Sequence, residues 1–192
     1  IPIARIELLD DVQMDAINKY SGLDYPAKST LFLEFHGSDH SVKEQAEMVQ
    51  DLASENGGGD FQFATSTEDR SKLWQARHDA AHSCNALRPG CVLWATDVCV
   101  PISRLAECIH ETKKDLATAS MPAPLVGHVG DGNFRLCFII DPDKPEEMAE
   151  AQTLNGRLID RALDMDGTCT GEHGVGLGKI AYMEREHGEG IS

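Results

Sequence analysis

Positive charge is scarce in this 192-residue chain: 17 Lys and Arg stand against 32 Asp and Glu, for a formal charge of −15. No basic field exists to hold nucleic acid or an anionic membrane surface, so an anionic ligand has to be caught by a local cationic pocket. Long apolar runs are also missing. Runs such as Leu136 to Ile140 are far too short to span a bilayer, and the N-terminus lacks the layout of a secretory signal. The six cysteines (Cys84, Cys91, Cys99, Cys108, Cys137 and Cys169) match neither a CxxC zinc site nor a dense disulfide framework, so reduced thiols in a reducing compartment are expected. There is no repeat, no low-complexity segment and no flexible linker. What remains is a globular balance of 41% hydrophobic and 26% charged residues. The chain opens at Ile1 without Met and closes on Gly190-Ile191-Ser192, which leads us to expect a piece of a longer protein.

Hydrophobic periodicity places the elements. Leu31 to Phe35 reads as a buried strand, followed by a helix that Ser41 and Glu44 would open as a capping box, with Val42, Ala46, Val49 and Ala53 inward. That helix ends at Asn56-Gly57-Gly58-Gly59, and Phe61 to Ala64 reads as a short return strand. A second helix is expected from about Glu68 to Leu87, with Leu73, Ala80, Cys84 and Leu87 on one face, then a strand from Val92 to Val98. Pro101 opens a third helix with Ile102, Leu105, Ile109 and Leu116 inward. Strands Leu125 to Val129 and Phe134 to Ile140 form a hairpin around Gly130 to Asn133. A fourth helix begins near Pro145, with Ala151, Leu154, Leu158, Ala162 and Met165 as its core stripe. Helices interleaved with strands that include a direct hairpin favour an α+β fold, a largely antiparallel sheet covered by helices on one side.

Three constellations could carry chemistry. In His128-Val-Gly-Asp-Gly-Asn-Phe-Arg135 a four-residue loop would set His128 directly opposite Arg135 at the sheet rim; an ordinary turn beside a surface histidine is the plainer alternative. In Thr168-Cys-Thr-Gly-Glu-His-Gly-Val-Gly176, Glu172 and His173 are ringed by glycines that let the backbone approach a ligand, or that simply make a flexible connection. It is not a P-loop, because Ile180 stands where Ser or Thr would bind magnesium. Lys179 likewise breaks a dinucleotide fingerprint. On the second helix Arg77 falls on an apolar stripe and needs an anionic partner, either a substrate carboxylate or a structural salt bridge. His36, His40, His82, His110 and His187 read as solvated or packing residues.

Trp74-Gln-Ala-Arg-His78, Thr96-Asp-Val-Cys-Val-Pro101, Gly127-His-Val-Gly-Asp-Gly-Asn-Phe134 and Thr168 to Gly176, in this order, resemble the C-terminal half of FAD-dependent D-lactate dehydrogenases. That group includes the glycolate oxidase flavoprotein subunit and D-2-hydroxyglutarate dehydrogenase. The resemblance runs from Leu31 onward and implies a ferredoxin-like cap domain over residues 1–192, with an FAD-binding domain of the vanillyl-alcohol-oxidase type outside this chain. It implies oxidation of a D-2-hydroxy acid to the 2-oxo acid with hydride transfer to FAD, and electrons passed on to a quinone, a cytochrome or an electron-transfer flavoprotein. Bacterial cytoplasm and the mitochondrion both suit such a protein, which would not be secreted, and a homodimer is compatible with it. The piece alone would be inactive.

Carried over residue by residue, His173 matches the base, Arg77 the carboxylate-binding arginine, and His128 and Glu172 two ligands of a divalent metal, zinc or manganese. The departure is Arg135, which stands where the family has a second metal-binding histidine; a guanidinium offers no lone pair to coordinate, so the metal is in doubt. Either Arg135 partly substitutes as a fixed cation for the substrate, or the site is impaired. Ala81 and Ala95, in place of a hydroxyl and a cation, imply a small substrate side chain, lactate or glycolate before 2-hydroxyglutarate. Two other classes stay open: a non-catalytic cap-fold interaction module, and a metal-dependent hydrolase using His128, Glu172 and His173.

Overall fold

A computed structural model describes residues 1–59, 61–64 and 66–189. Five strands, β1 (Arg5–Leu9), β2 (Thr30–Glu34), β3 (Val92–Cys99), β4 (Leu125–His128) and β5 (Asn133–Ile140), form one antiparallel sheet in the order β2-β1-β4-β5-β3. The helices are α1 (Asp11–Ser21), α2 (Asp39–Glu55), α3 (Thr67–His78), α4 (Ala80–Leu87), α5 (Ile102–Leu116), α6 (Pro145–Asp164) and the short α7 (Met183–His187). The α+β fold with an antiparallel sheet is as expected from the sequence, with one refinement: helices pack against both faces. On one face Leu125, Phe134, Leu136, Phe138, Ile140 and Val98 meet α5 and α6 through Leu105, Cys108, Ala151, Leu154, Leu158 and Ala162. On the other, Leu9, Phe32 and Val126 meet Met14 and Ile17 of α1, Ala76 of α3 and Ala80 of α4, and Cys137 and Ile139 meet Cys84. A continuous apolar run such as Leu136 to Ile140 requires this, since alternate residues point to opposite faces and both must be shielded from water.

Several expectations need correction. β1 and α1 were not anticipated; Asp10 caps α1 by accepting from Gln13 N at 2.9 Å, and Gly22 ends it at φ +63°. The cap of α2 is Ser38, whose Oγ accepts from Ser41 N at 3.3 Å, while Ser41 itself accepts from Gln45 Nε2 at 2.9 Å. Phe61 to Ala64 pairs with no strand among the described residues; Phe61 and Phe63 instead pack their rings together, centroids 4.8 Å apart. The expected helix from Glu68 to Leu87 is broken at Asp79, and the Ala80 carbonyl that follows is taken by Gln13 Nε2 at 3.2 Å and Ser83 Oγ at 2.7 Å. Ile102 lies at the first turn of α5 and is exposed, whereas Leu105 is buried. The stripe of α6 is buried throughout, and all six cysteines are free. Gly190, Ile191 and Ser192 lie outside the described residues.

Candidate active site

The face of the sheet that carries Leu9 and Val126 turns polar toward one rim. Register sets this row: Val126 pairs with Arg135, Arg135 with Asp97 and His128 with Asn133, so all five side chains stand on the same face, and Glu7 of β1 lies beside His128. The hairpin is therefore shifted by two residues from the sequence expectation, because Val129 to Asp131 coil into a 3₁₀ turn closed by Gly132 at φ +77°. A side chain at Gly132 would strike the Val100 carbonyl. Arg135 nonetheless reaches His128 on the diagonal, Nη2 to Nε2 at 3.2 Å.

A chain of alternating charge results. Arg77 on α3 donates from Nε and Nη2 to Glu7 Oε2 at 3.3 and 3.0 Å, and Glu7 Oε1 lies 2.8 Å from His128 Nδ1. Arg135 is ion-paired in turn with Glu172, whose Oε1 stands 3.4 Å from His128 Nε2. Burial pushes the Arg135 guanidinium below its ordinary pKa, and the neighbouring Arg77 acts in the same direction. Arg77 therefore has the structural salt bridge that the sequence left as an alternative, but its Nη1 has no partner among the described residues. Glu7 is the side chain that sequence reasoning missed. Its signal was an acid between Ile6 and Leu8, just ahead of the Asp10 cap.

The glycine-rich segment is organised by Asp97, also unassigned from sequence. Its buried Oδ2 accepts the backbone N–H groups of Gly171, Glu172 and His173 at 3.1, 2.6 and 3.2 Å, a nest of amides wrapped around an anion. Its Oδ1 accepts from the buried Lys179 Nζ at 3.0 Å and faces His173 Nδ1 at 3.6 Å. Burial raises the Asp97 pKa, but the Lys179 bond and charge and the His173 contacts outweigh it, so the carboxyl lies below its ordinary value. The segment is further anchored where Cys99 and Thr168 exchange backbone bonds of 3.3 and 2.8 Å. Gly171 is obligatory here, since a Cβ would collide with Asn133 Nδ2 and crowd Asp97.

His128, Arg135, Glu172 and His173 are thus brought to one rim, with Arg77 joined to them through Glu7. Glu172 and His173 are 45% and 38% exposed, so the cluster is open on their side. A divalent metal does not fit the residues present: the Arg135 guanidinium is hydrogen-bonded to His128 and ion-paired with Glu172, and no three His, Cys, Asp or Glu side chains gather around a common point among the described residues. Nor is any helix among them long and apolar enough to cross a membrane.

Comparison with known proteins agrees with this architecture. The chain is 52% identical to a protein of Danio rerio named probable D-lactate dehydrogenase, mitochondrial, over 98% of this chain and 38% of that protein. It is 46% identical to a mitochondrial D-lactate dehydrogenase (cytochrome) of Arabidopsis thaliana over 98% of this chain and 33% of that one, and 26% identical to the glycolate oxidase subunit GlcD of Escherichia coli over 93% and 36%. The chain therefore spans little more than a third of the length of these relatives. Among solved structures, 4-ethylphenol oxidase from Gulosibacter chungangensis in an isoeugenol complex superposes with a TM-score of 0.61 at 13% identity, over 86% of this chain and 39% of that one, and shares the fold. The sequence pattern described as FAD linked oxidases, C-terminal domain, matches residues 1–191, and the chain belongs to that family.

Proposed function

We propose that this chain is the substrate-positioning domain of an FAD-dependent dehydrogenase of small D-2-hydroxy acids, D-lactate first and glycolate next. The observation that carries the reading is the convergence on one open rim of two guanidinium groups, Arg77 and Arg135, with a histidine backed by a buried carboxylate, His173 and Asp97. The names of the Danio rerio and Arabidopsis thaliana relatives support it, and they favour a mitochondrial location. Bound against the open side, a flavin would accept the C2 hydrogen and its electron pair as hydride.

The chain's own residues do the rest. Arg77, through its free Nη1, and Arg135 hold the substrate carboxylate; a guanidinium fork matches two carboxylate oxygens. His173 takes the hydroxyl proton, and Asp97, 3.6 Å from its Nδ1, stabilises the imidazolium that forms. The bond from C2 to oxygen becomes a carbonyl as the C–H and O–H bonds break. Ala95, exposed on the face that carries Asp97, leaves room for a methyl group or hydrogen and supplies no cation for a second carboxylate. A second reading, a non-catalytic interaction module, draws on the fact that both arginines already have carboxylate partners.

Anaerobic absorbance spectra of the purified flavoprotein separate the two. Addition of D-lactate is expected to bleach the flavin bands, with glycolate slower and D-2-hydroxyglutarate slowest. An unchanged spectrum with all three acids would leave the module reading standing.

A further inference from the structure

We infer that the Arg135 guanidinium fills the place of a divalent cation, so that this site carries its own fixed monovalent cation and takes up neither zinc nor manganese. His128 is presented as a metal-binding histidine would be. Its Nδ1 lies 2.8 Å from Glu7 Oε1, a carboxylate oxygen that can only accept, so the proton belongs on Nδ1 and Nε2 is the nitrogen turned into the site. The separation of that Nε2 from Glu172 Oε1 is 3.4 Å. Two ligands of one tetrahedral zinc, with bonds of about 2.1 Å, stand roughly 3.4 Å apart, so the pair keeps the spacing of a coordination edge.

Between the two donors, however, sits Arg135. Its Nη2 is 3.2 Å from His128 Nε2 and is ion-paired with the same Glu172 oxygen. One protonated nitrogen that cannot coordinate therefore occupies the space between the His128 and Glu172 donors where a metal would sit. Among the described residues no third His, Cys, Asp or Glu joins them around a common point: Glu7 gives Oε1 to His128 and Oε2 to Arg77, and His173 Nδ1 faces Asp97. A dication would have to displace a positive group of the same sign, with Arg77 next to Glu7 adding to the repulsion. One positive charge of fixed direction replaces a doubly charged ion, while the imidazole and carboxylate that would have held the ion hold the guanidinium.

Calorimetric titration of the purified protein with zinc chloride, and separately with manganese chloride, tests this. The unaltered protein and its Glu172→Gln variant are expected to give the same heats. Arg135→His, which supplies the missing lone pair, is expected to gain one equivalent of zinc binding at least about 100-fold tighter than the unaltered protein, and to lose it again when Glu172→Gln is added. One equivalent of zinc in the unaltered protein that Glu172→Gln abolishes would overturn the inference, as would a folded Arg135→His variant that binds none. Should that variant fail to fold, the ¹⁵N resonances of His128 in the unaltered protein decide. An unprotonated Nε2 unmoved by one equivalent of zinc supports the inference, and a zinc-induced shift contradicts it. Neither readout involves the flavin, so failure of the hydroxy-acid reading leaves both intact.

Discussion

Single side chains set the charge order of this domain, and the strongest of them lie off the site. Glu147 of α6 accepts from Arg88 Nη1 and Nη2 at 2.9 and 3.1 Å and from Asp141 N at 2.9 Å, which holds its carboxyl well down, at about 2. Because the folded value lies below the ordinary 4.5, this group adds stability above pH 4.5 and loses it as pH falls toward 2. Glu147→Gln is therefore expected to destabilise by about 3 kcal/mol at pH 7, since it removes the bidentate charged partner of Arg88 and leaves only Asp141 at 4.0 Å. The difference from the unaltered protein should close between pH 4.5 and pH 2 in urea melts. A difference that stays constant over that window would contradict the assignment. At the site itself, Arg77, His128, Glu172 and His173 were legible because each sits in a short motif. Glu7, Asp97 and Lys179 were not, because their importance comes from partners about 70 to 120 residues away that no local spacing reports.

At the level of elements, long periodic segments read well and their ends read poorly. The stripe of α6 was legible in full because five apolar positions repeat at helical spacing. The break between α3 and α4 was not, because Asp79 alone is a weak breaker and the Ala80 carbonyl is claimed by Gln13 of α1. The loop from Gly171 to His173 is shaped by Asp97 and not by its own glycines alone, which gives a test with an internal control. Gly171→Ala is expected to cost about 2 kcal/mol, because its Cβ meets Asn133 and Asp97, and to slow flavin reduction by disturbing His173. Gly174→Ala, at φ +75° with open space around it, should cost only about 1 kcal/mol. Equal losses in thermal melts of the two variants would mean that the Asp97 nest does not control the loop.

On the scale of the whole molecule, a domain with a charge of −15 can recognise an anion only by confining its cations. Two of its arginines, Arg77 and Arg135, are gathered at one rim, each held by a carboxylate that a substrate could share. The sheet with helices on both faces gives that rim a rigid base, and the side of Glu172 and His173 stays open. Fold class was readable from alternating elements and the hairpin, whereas the second helical layer depended on α1, which the opening residues announce only through the Asp10 cap. The most direct test of the account is the single-turnover rate of flavin reduction by D-lactate in the purified flavoprotein with and without His173→Asn. A variant that keeps its flavin and its D-lactate affinity but is reduced about 100-fold more slowly, or slower still, is the predicted result. Reduction within about threefold of the unaltered rate would contradict it, because a positioned base contributes far more than that.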